Sequence, residues 1–240
     1  MSRNDRDKAL NGKVVPVANL DAGLRSAMFD LMNEAYVVGR ASFMADLAAK
    51  DWAILLHDAT GTLRGFTSLA LMRTEVEGRA IRALFSGDTI IRPDFWGSLE
   101  LPRVWGRFML SMIEEAGIEE LYWFLISSGY KTYRFLPVFF QEYFPRFDRP
   151  TPPDLQKILD HLGSLRFGRR YLPDRGIIRL AEPTPLRAGV ADLHDERLQD
   201  PDVAFFVTRN PGHAEGEELA CIAPLRSDNL KPFIRRALRA

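Results

Sequence analysis

The sequence predicts a mixed α/β (α+β) fold, a mostly antiparallel central sheet flanked by helices, and three observations carry that reading. Two strand-like runs, Trp52 to His57 and Leu63 to Thr74, are separated by Asp58-Ala59-Thr60-Gly61, whose polar and glycine residues suit a hairpin turn. A second turn at Glu77-Gly78 sends the chain back through Ala80 to Ile91, extending the meander. The run Leu121-Tyr122-Trp123-Phe124-Leu125-Ile126, within Glu120 to Ser127, is continuously apolar and short, the signature of a central strand covered on both faces.

The remaining elements follow in order. Lys13 to Val17 is a short β-branched run that predicts a first strand. Asp21 is placed to cap a helix over Ala22 to Val38, where Leu24, Met28, Leu31, Met32 and Ala35 recur at helical spacing, and Ser42 to cap a shorter helix through Lys50. Leu101 to Ala116 carries an amphipathic helical pattern that Gly117 terminates. Tyr130 to Phe144 is unusually aromatic, with Pro137 set to bend or interrupt a helix there. Beyond the breaks at Pro145 and Asp148 to Pro153, the sequence predicts a helix over Asp154 to Leu165 and a strand over Gly176 to Leu180. A proline-marked loop over Glu182 to Pro185, strands over Val203 to Thr208 and Glu218 to Ala223, and a basic helix over Asn229 to Arg239 complete the chain. The expected organisation is a flexible tail over 1–12, a principal domain over 13–180, and an extension over 181–240 that completes or caps it.

Composition narrows the function classes. The 240 residues are 46% hydrophobic, enough for a substantial core. Lys plus Arg and Asp plus Glu number 32 each, so no overall field draws the chain to nucleic acid, and any anion site must be local. One cysteine, Cys221, excludes an internal disulfide, and no Cys/His spacing forms a zinc cluster, which points to an intracellular, metal-free protein. The polar stretch from Met1 to Asn11 lacks the apolar core of a signal peptide and no run has the length of a membrane span, so the reading is a soluble cytoplasmic protein.

The chemistry is expected at one junction. Asp88-Thr89-Ile90-Ile91-Arg92-Pro93-Asp94-Phe95-Trp96-Gly97-Ser98 ends a strand and enters a turn before a helix, which gathers backbone N–H groups and the positive end of the helix where a phosphate can bind. This order of elements, over roughly residues 13 to 180, resembles the GNAT superfamily of acyl-CoA-dependent N-acyltransferases. The family's pyrophosphate motif, Gln/Arg-x-x-Gly-x-Gly/Ala, corresponds to Arg92-Pro93-Asp94-Phe95-Trp96-Gly97-Ser98-Leu99-Glu100, which keeps one glycine and lacks its pair. A degenerate turn is also similar to the acyl-homoserine-lactone and long-chain N-acyl amino acid synthases, which often take acyl groups from acyl carrier protein.

The resemblance implies acyl transfer from acyl-CoA or acyl carrier protein to an amine of a small molecule or peptide, and it implies roles for particular residues. Arg92, Trp96, Gly97 and Ser98 would hold the pyrophosphate, and Ser128 and Gly129 would expose backbone groups to the pantetheine arm. A backbone N–H in Gly87 to Ile91 would polarise the thioester carbonyl, with Gly87 marking a bulge. Asp88 would be the base, ahead of Glu75 and Glu77. The acid would be Tyr133 or Tyr130, although the family's Asn-x-x-Ala-x-x-(Phe/Leu)-Tyr arrangement is not present. Phe135, Phe139 and Phe140, with Met72, Met109 and Met112, could line an acyl slot or be ordinary core. Asn210-Pro211-Gly212-His213 could be a hairpin tip reaching over a site or a simple turn, and the basic terminus around Arg226, Lys231, Arg235, Arg236 and Arg239 could meet a carrier protein or be a solvated face. The rival reading of the whole is a catalytically silent module of the same fold that binds a ligand or a protein.

Overall fold

A computed structural model describes residues 9–117, 119–185, 187 and 195–239. One eight-stranded sheet runs through the molecule in the order β1-β2-β3-β4-β5-β8-β7-β6, with β1 Asn11–Pro16, β2 Trp52–His57, β3 Leu63–Val76, β4 Arg79–Ile91, β5 Glu120–Ser127, β6 Tyr171–Leu172, β7 Ile177–Ile178 and β8 Glu218–Pro224. Every neighbouring pair is antiparallel except β4 and β5, which are parallel. The mixed, mostly antiparallel sheet flanked by helices is the fold that the patterning predicts.

The helices are α1 Ala22–Ala35, α2 Arg40–Ala48, α3 Glu100–Ala116, α4 Tyr130–Tyr133, α5 Phe135–Phe139, α6 Pro153–Phe167, α7 Asp195–Leu198, α8 Pro201–Arg209 and α9 Pro232–Arg239. Strand alternation divides the core between the two faces. Ile54, Leu56, Leu84, Trp123, Leu125 and Cys221 pack with α3, α5 and α8 on one side. On the other, Phe85, Phe124, Ile126 and Ile222 pack with α6, while Leu55, Phe66 and Ile90 pack with α1 and α2. The hairpin from β3 to β4 turns on Glu77 and Gly78, both at positive φ (50° and 77°), the geometry whose twist matches the strands it joins.

Several expectations are corrected. Asn11 and Gly12, read as tail, pair with His57 and Leu56 in β1. Helix α1 keeps its Asp21 cap, whose carboxylate accepts from Leu24 N at 2.8 Å, but stops at Ala35 rather than Val38. There the chain is claimed by tertiary hydrogen bonds, Val37 N to Pro185 O at 3.0 Å and Arg187 N to Ala35 O at 2.8 Å. Helix α2 begins beyond Gly39 without a side-chain cap, so Ser42 is not its cap. The aromatic stretch breaks at Arg134 instead of Pro137. Pro137 lies in the first turn of α5, where its missing N–H has no intrahelical partner to lose. Val203 to Thr208 is helical, not a strand: Asp200 caps α8 by accepting from Asp202 N at 3.0 Å, Pro201 sits at its first position, and Val203 and Phe206 are buried one turn apart. His213 is therefore on no hairpin tip, and its ring packs 5.7 Å from Phe206.

Among the described residues no helix is long and apolar enough to cross a membrane. The segment beyond 181 contributes β8 between β5 and β7, with pairs from Tyr122↔Pro224 to Ser127↔Leu219.

Candidate active site

Parallel pairing of β4 with β5 runs from Ile81↔Glu120 to Ser86↔Leu125 and stops. Beyond it β4 stays with β3 as far as Ile91, and β5 stays with β8 as far as Ser127, so the two strands part in a V. A bulge sits at the apex. Thr67 pairs with Thr89 and Leu69 with Ser86, so Gly87 and Asp88 together face the single residue Ser68, and the ladder is interrupted where the strands separate. The glycine at 87 read from sequence as a bulge is one.

Two clefts lie about the V, and a narrow neck between them shares lining residues with both. The first cleft, about 550 Å³, is walled by Ile90, Ile91, Pro102 and Phe135 and edged by Arg92, Trp96, Gly97, Ser98, Gly129 and Lys131. The second, about 520 Å³, contains Asp46, Lys50, Asp88, Arg166, Arg170 and Glu218. Gly87, Asp88, Thr89, Ser127, Ser128 and Glu218 line the neck, together with Tyr36. A small slot of about 30 Å³ branches between Trp105, Trp123, Leu125, Phe135 and Phe139, and shares Thr89, Pro102 and Thr132 with the first cleft.

The first cleft has the features of an anion site, in part. Gly97 takes φ 94°, which any side chain would strain. Helix α3 starts at Glu100 with no side-chain cap at Leu99, and its N-terminal turn faces this rim. Arg92 reaches Glu34 at 3.0 Å through Nη1, while its Nε is buried without a partner. Pro93 and Pro102 each remove an N–H that a glycine-rich turn would offer, so the cradle is sparser than a full phosphate loop. Trp96 donates from Nε1 to Ile91 O at 2.8 Å, and Lys131 Nζ lies 3.3 Å from its ring centroid, tying the two arms of the V across the cleft. Burial, with Arg197 nearby, pushes the Lys131 ammonium below its usual range.

The neck is acidic. Burial raises Asp88 to about 6 despite Lys50, and Asp46 raises it further while Ser68, donating at 3.4 Å, pulls it down. Glu218 is raised to about 8 by burial and then by the charges of Asp88 and Asp46. Lys50 is 5% exposed, ion-paired to Asp46 and 5.4 Å from the Phe85 ring. Tyr36, extended just past α1, is pushed up by burial and by Glu218, so its phenol stays protonated, with Ser128 as side-chain partner. Among the described residues no group of three or more His, Cys, Asp or Glu side chains is arranged to hold a metal ion.

The structure thus brings Asp88, Arg92, Trp96, Gly97, Ser98, Ser128 and Gly129 to one connected site. It takes the two expected acids out of it. Tyr133 is fully buried, donates to Pro145 O at 2.9 Å, and lies against Phe206; Tyr130 is also buried, and neither lines a cleft or the neck. Glu75 and Glu77 lie at the far end of β3 and its turn, and Glu77 pairs with Lys157 at 2.7 Å. Phe140 is fully buried core against Trp123 at 5.6 Å, so only Phe135 and Phe139 of the proposed slot aromatics face open space. Sequence reading missed Tyr36, Asp46, Thr132 and Glu218, which reach the site from four separate elements. The placement of Glu218 at the start of a predicted strand was its one local signal. Cys221 is fully buried and its thiol is pushed up by burial, consistent with an inert core position.

No family model and no curated protein matches the sequence. Among solved structures, a conserved protein from Enterococcus faecalis described as a probable N-acyltransferase aligns at 15% identity and TM-score 0.41 over 59% of this chain and 38% of its own. A GNAT family N-acetyltransferase from Escherichia coli in complex with CoA aligns at 11% and 0.37 over 50% and 64%. A Trypanosoma brucei acetyltransferase aligns at 20% and 0.37 over 60% and 98%. This chain therefore spans less than two thirds of the first two proteins, and the residue roles below rest on the geometry of the site.

Proposed function

We propose that the protein is an N-acyltransferase that moves a short acyl group from a pantetheine thioester to an amine. The observation that carries this is the acidic neck at the parting of β4 and β5, which shares lining residues with a largely apolar cleft that has a partly basic rim and with a second cleft of mixed charge. Two substrates entering from the two clefts meet there, which is the orientation that amide formation needs.

In this reading the donor lies in the first cleft, its anionic arm near Arg92 and Lys131 and the turn at Trp96 to Ser98, and its acyl group enters the slot. Asp88 accepts the proton of the attacking ammonium. The amine nitrogen then bonds to the thioester carbon, the C–S bond breaks, and the nitrogen's second proton goes to the departing thiolate, while Tyr36, a residue that lines both the neck and the donor cleft, keeps its own proton and offers a hydrogen bond to the sulfur. The slot holds about two water-sized groups at roughly 10–15 Å³ each, so it favours a two- or three-carbon acyl chain over a long one. The pantetheine arm is common to coenzyme A and acyl carrier protein, so both donors belong in the test.

Acetyl- to hexanoyl-CoA and the matching acyl carrier proteins should be titrated onto the protein by calorimetry, and then incubated with an amine panel while free thiol is recorded. Binding of a short-chain donor and amine-dependent thiol release are expected. A protein that binds none of these thioesters would instead be the silent module.

A further inference from the structure

The second cleft carries both charge signs, and its lining includes Asp46 and Glu182 as well as the cations Lys50, Arg166 and Arg170. Asp88 and Glu218 lie at its floor, on the neck. Its wall holds Arg166, in the last turn of α6, and Arg170, in the turn that follows. Arg166 is held by stacking: its guanidinium lies 4.0 Å from the Phe85 ring centroid and 6.0 Å from that of Phe167. Its carboxylate partner is Asp46 Oδ1 at 3.7 Å, beyond hydrogen-bond distance, and Asp46 is already engaged by Lys50.

A planar guanidinium with five donors, 18% exposed and stacked in place, therefore reaches an open cavity without a hydrogen-bonding acceptor among the described residues. Such a fork is matched in geometry and charge by a bidentate oxyanion. Burial also pushes Arg166 down from its ordinary value, against the opposing charges of Asp46, Asp88 and Asp51. The position at a helix C-terminus favours a cation electrostatically, but does not supply the missing acceptor.

Taking the acyl-transfer reading as its basis, we propose that the acceptor is a small amine that itself carries a carboxylate or a phosphate, with its ammonium at the Asp88 and Glu218 end and its anion on Arg166 and Arg170. The acidic floor recognises one end of this zwitterion and the basic wall the other. An amine without an anion would leave the Arg166 fork with only its 3.7 Å ion pair to Asp46, and a dianion without an amine would meet the carboxylates of the floor.

The test uses serine, phenylalanine and alanine with their α-amides, and O-phosphoethanolamine with ethanolamine. Binding is measured by calorimetry without donor, and acetylation by thiol release with acetyl-CoA. The member of at least one pair that carries the carboxylate or phosphate should bind about ten-fold or more tightly than the partner that lacks it. That ratio should fall toward one in Arg166→Lys, which keeps charge but loses the fork, and in Arg170→Gln, an exposed change that spares the core. Preference between carboxylate and phosphate assigns the anion. Equal binding of acids and amides, discrimination that survives both substitutions, or no binding of any anionic amine at millimolar concentration would each overturn the inference. Discriminating binding of a zwitterion without thiol release from any donor would leave the zwitterion-binding site standing and remove the acyl-transfer reading; thiol release only with amines that lack an anion would do the opposite.

Discussion

Asp88 is the residue on which the chemistry turns, because the bulge places it at the neck and its surroundings hold it close to neutrality in pKa. A base must be ionised to accept a proton, so the transfer rate should fall as pH drops through about 6. Asp88→Asn should retain its melting temperature and lose roughly 10²–10⁴ in rate at saturating donor. A wild-type rate would exclude it. Glu218 gives an opposite, thermodynamic signal. Its folded pKa is raised to about 8 from 4.5, so between these values the folded state binds more protons than the unfolded one, and stability falls as pH rises through that window. Glu218→Gln removes this ionisation. Melting curves from pH 5 to 9 should show the wild type losing stability with rising pH and the variant losing less. Phe139, 6% exposed, both closes the slot and packs on Trp105 at 6.3 Å. Phe139→Ala should cost roughly 3–5 kcal/mol and shift the preferred acyl chain longer by opening the end of the slot. A destabilised variant with unchanged chain-length preference would make Phe139 ordinary core.

At the scale of elements, the turn from Pro93 to Leu99 joins β4 to α3 and shapes the donor rim. Its tryptophan is 46% exposed, yet held by a hydrogen bond to its own strand and by Lys131 across the V. Trp96→Ala should raise the donor Kd with little change in melting temperature, since a largely exposed ring contributes little to the core while the cation–π contact is worth about 0.5–1 kcal/mol. Unchanged donor affinity would place the donor elsewhere. The same scale shows what patterning could and could not reveal. The strands Trp52–His57 and Glu120–Ser127 were legible to the residue, because an apolar run bounded by turn residues has few other folded uses. Val203 to Thr208 misled, because β-branched and aromatic content outweighed the Asp200-Pro201 start that decides for a helix.

For the whole molecule, the lesson is that the sheet does not end at residue 180. Strand β8 covers β5 along six pairs and contributes Ala220, Cys221 and Ile222, all fully buried, to the two faces of the core. A chain ending at residue 180 would expose the edge of the central strand and strip both core clusters. It should lack a cooperative melting transition; a sharp transition and a dispersed amide spectrum in that fragment would show that the first 180 residues fold alone. The sequence by itself determined the meander, the amphipathic α3, the buried β5, the bulge glycine and the location of the rim turn. These depend on periodicity and turn chemistry, which are local. The neck was decided only by tertiary structure. Tyr36 enters it because hydrogen bonds to residues 185 and 187 hold the chain just past α1, Glu218 because β8 inserts beside β5, and Tyr133 leaves it because α4 directs that hydroxyl to Pro145. Pairings between distant segments, such as residues 35 and 37 with 185 and 187 or β5 with β8, leave no periodic trace in the chain, so the architecture could be read in advance while much of the catalytic constellation could not.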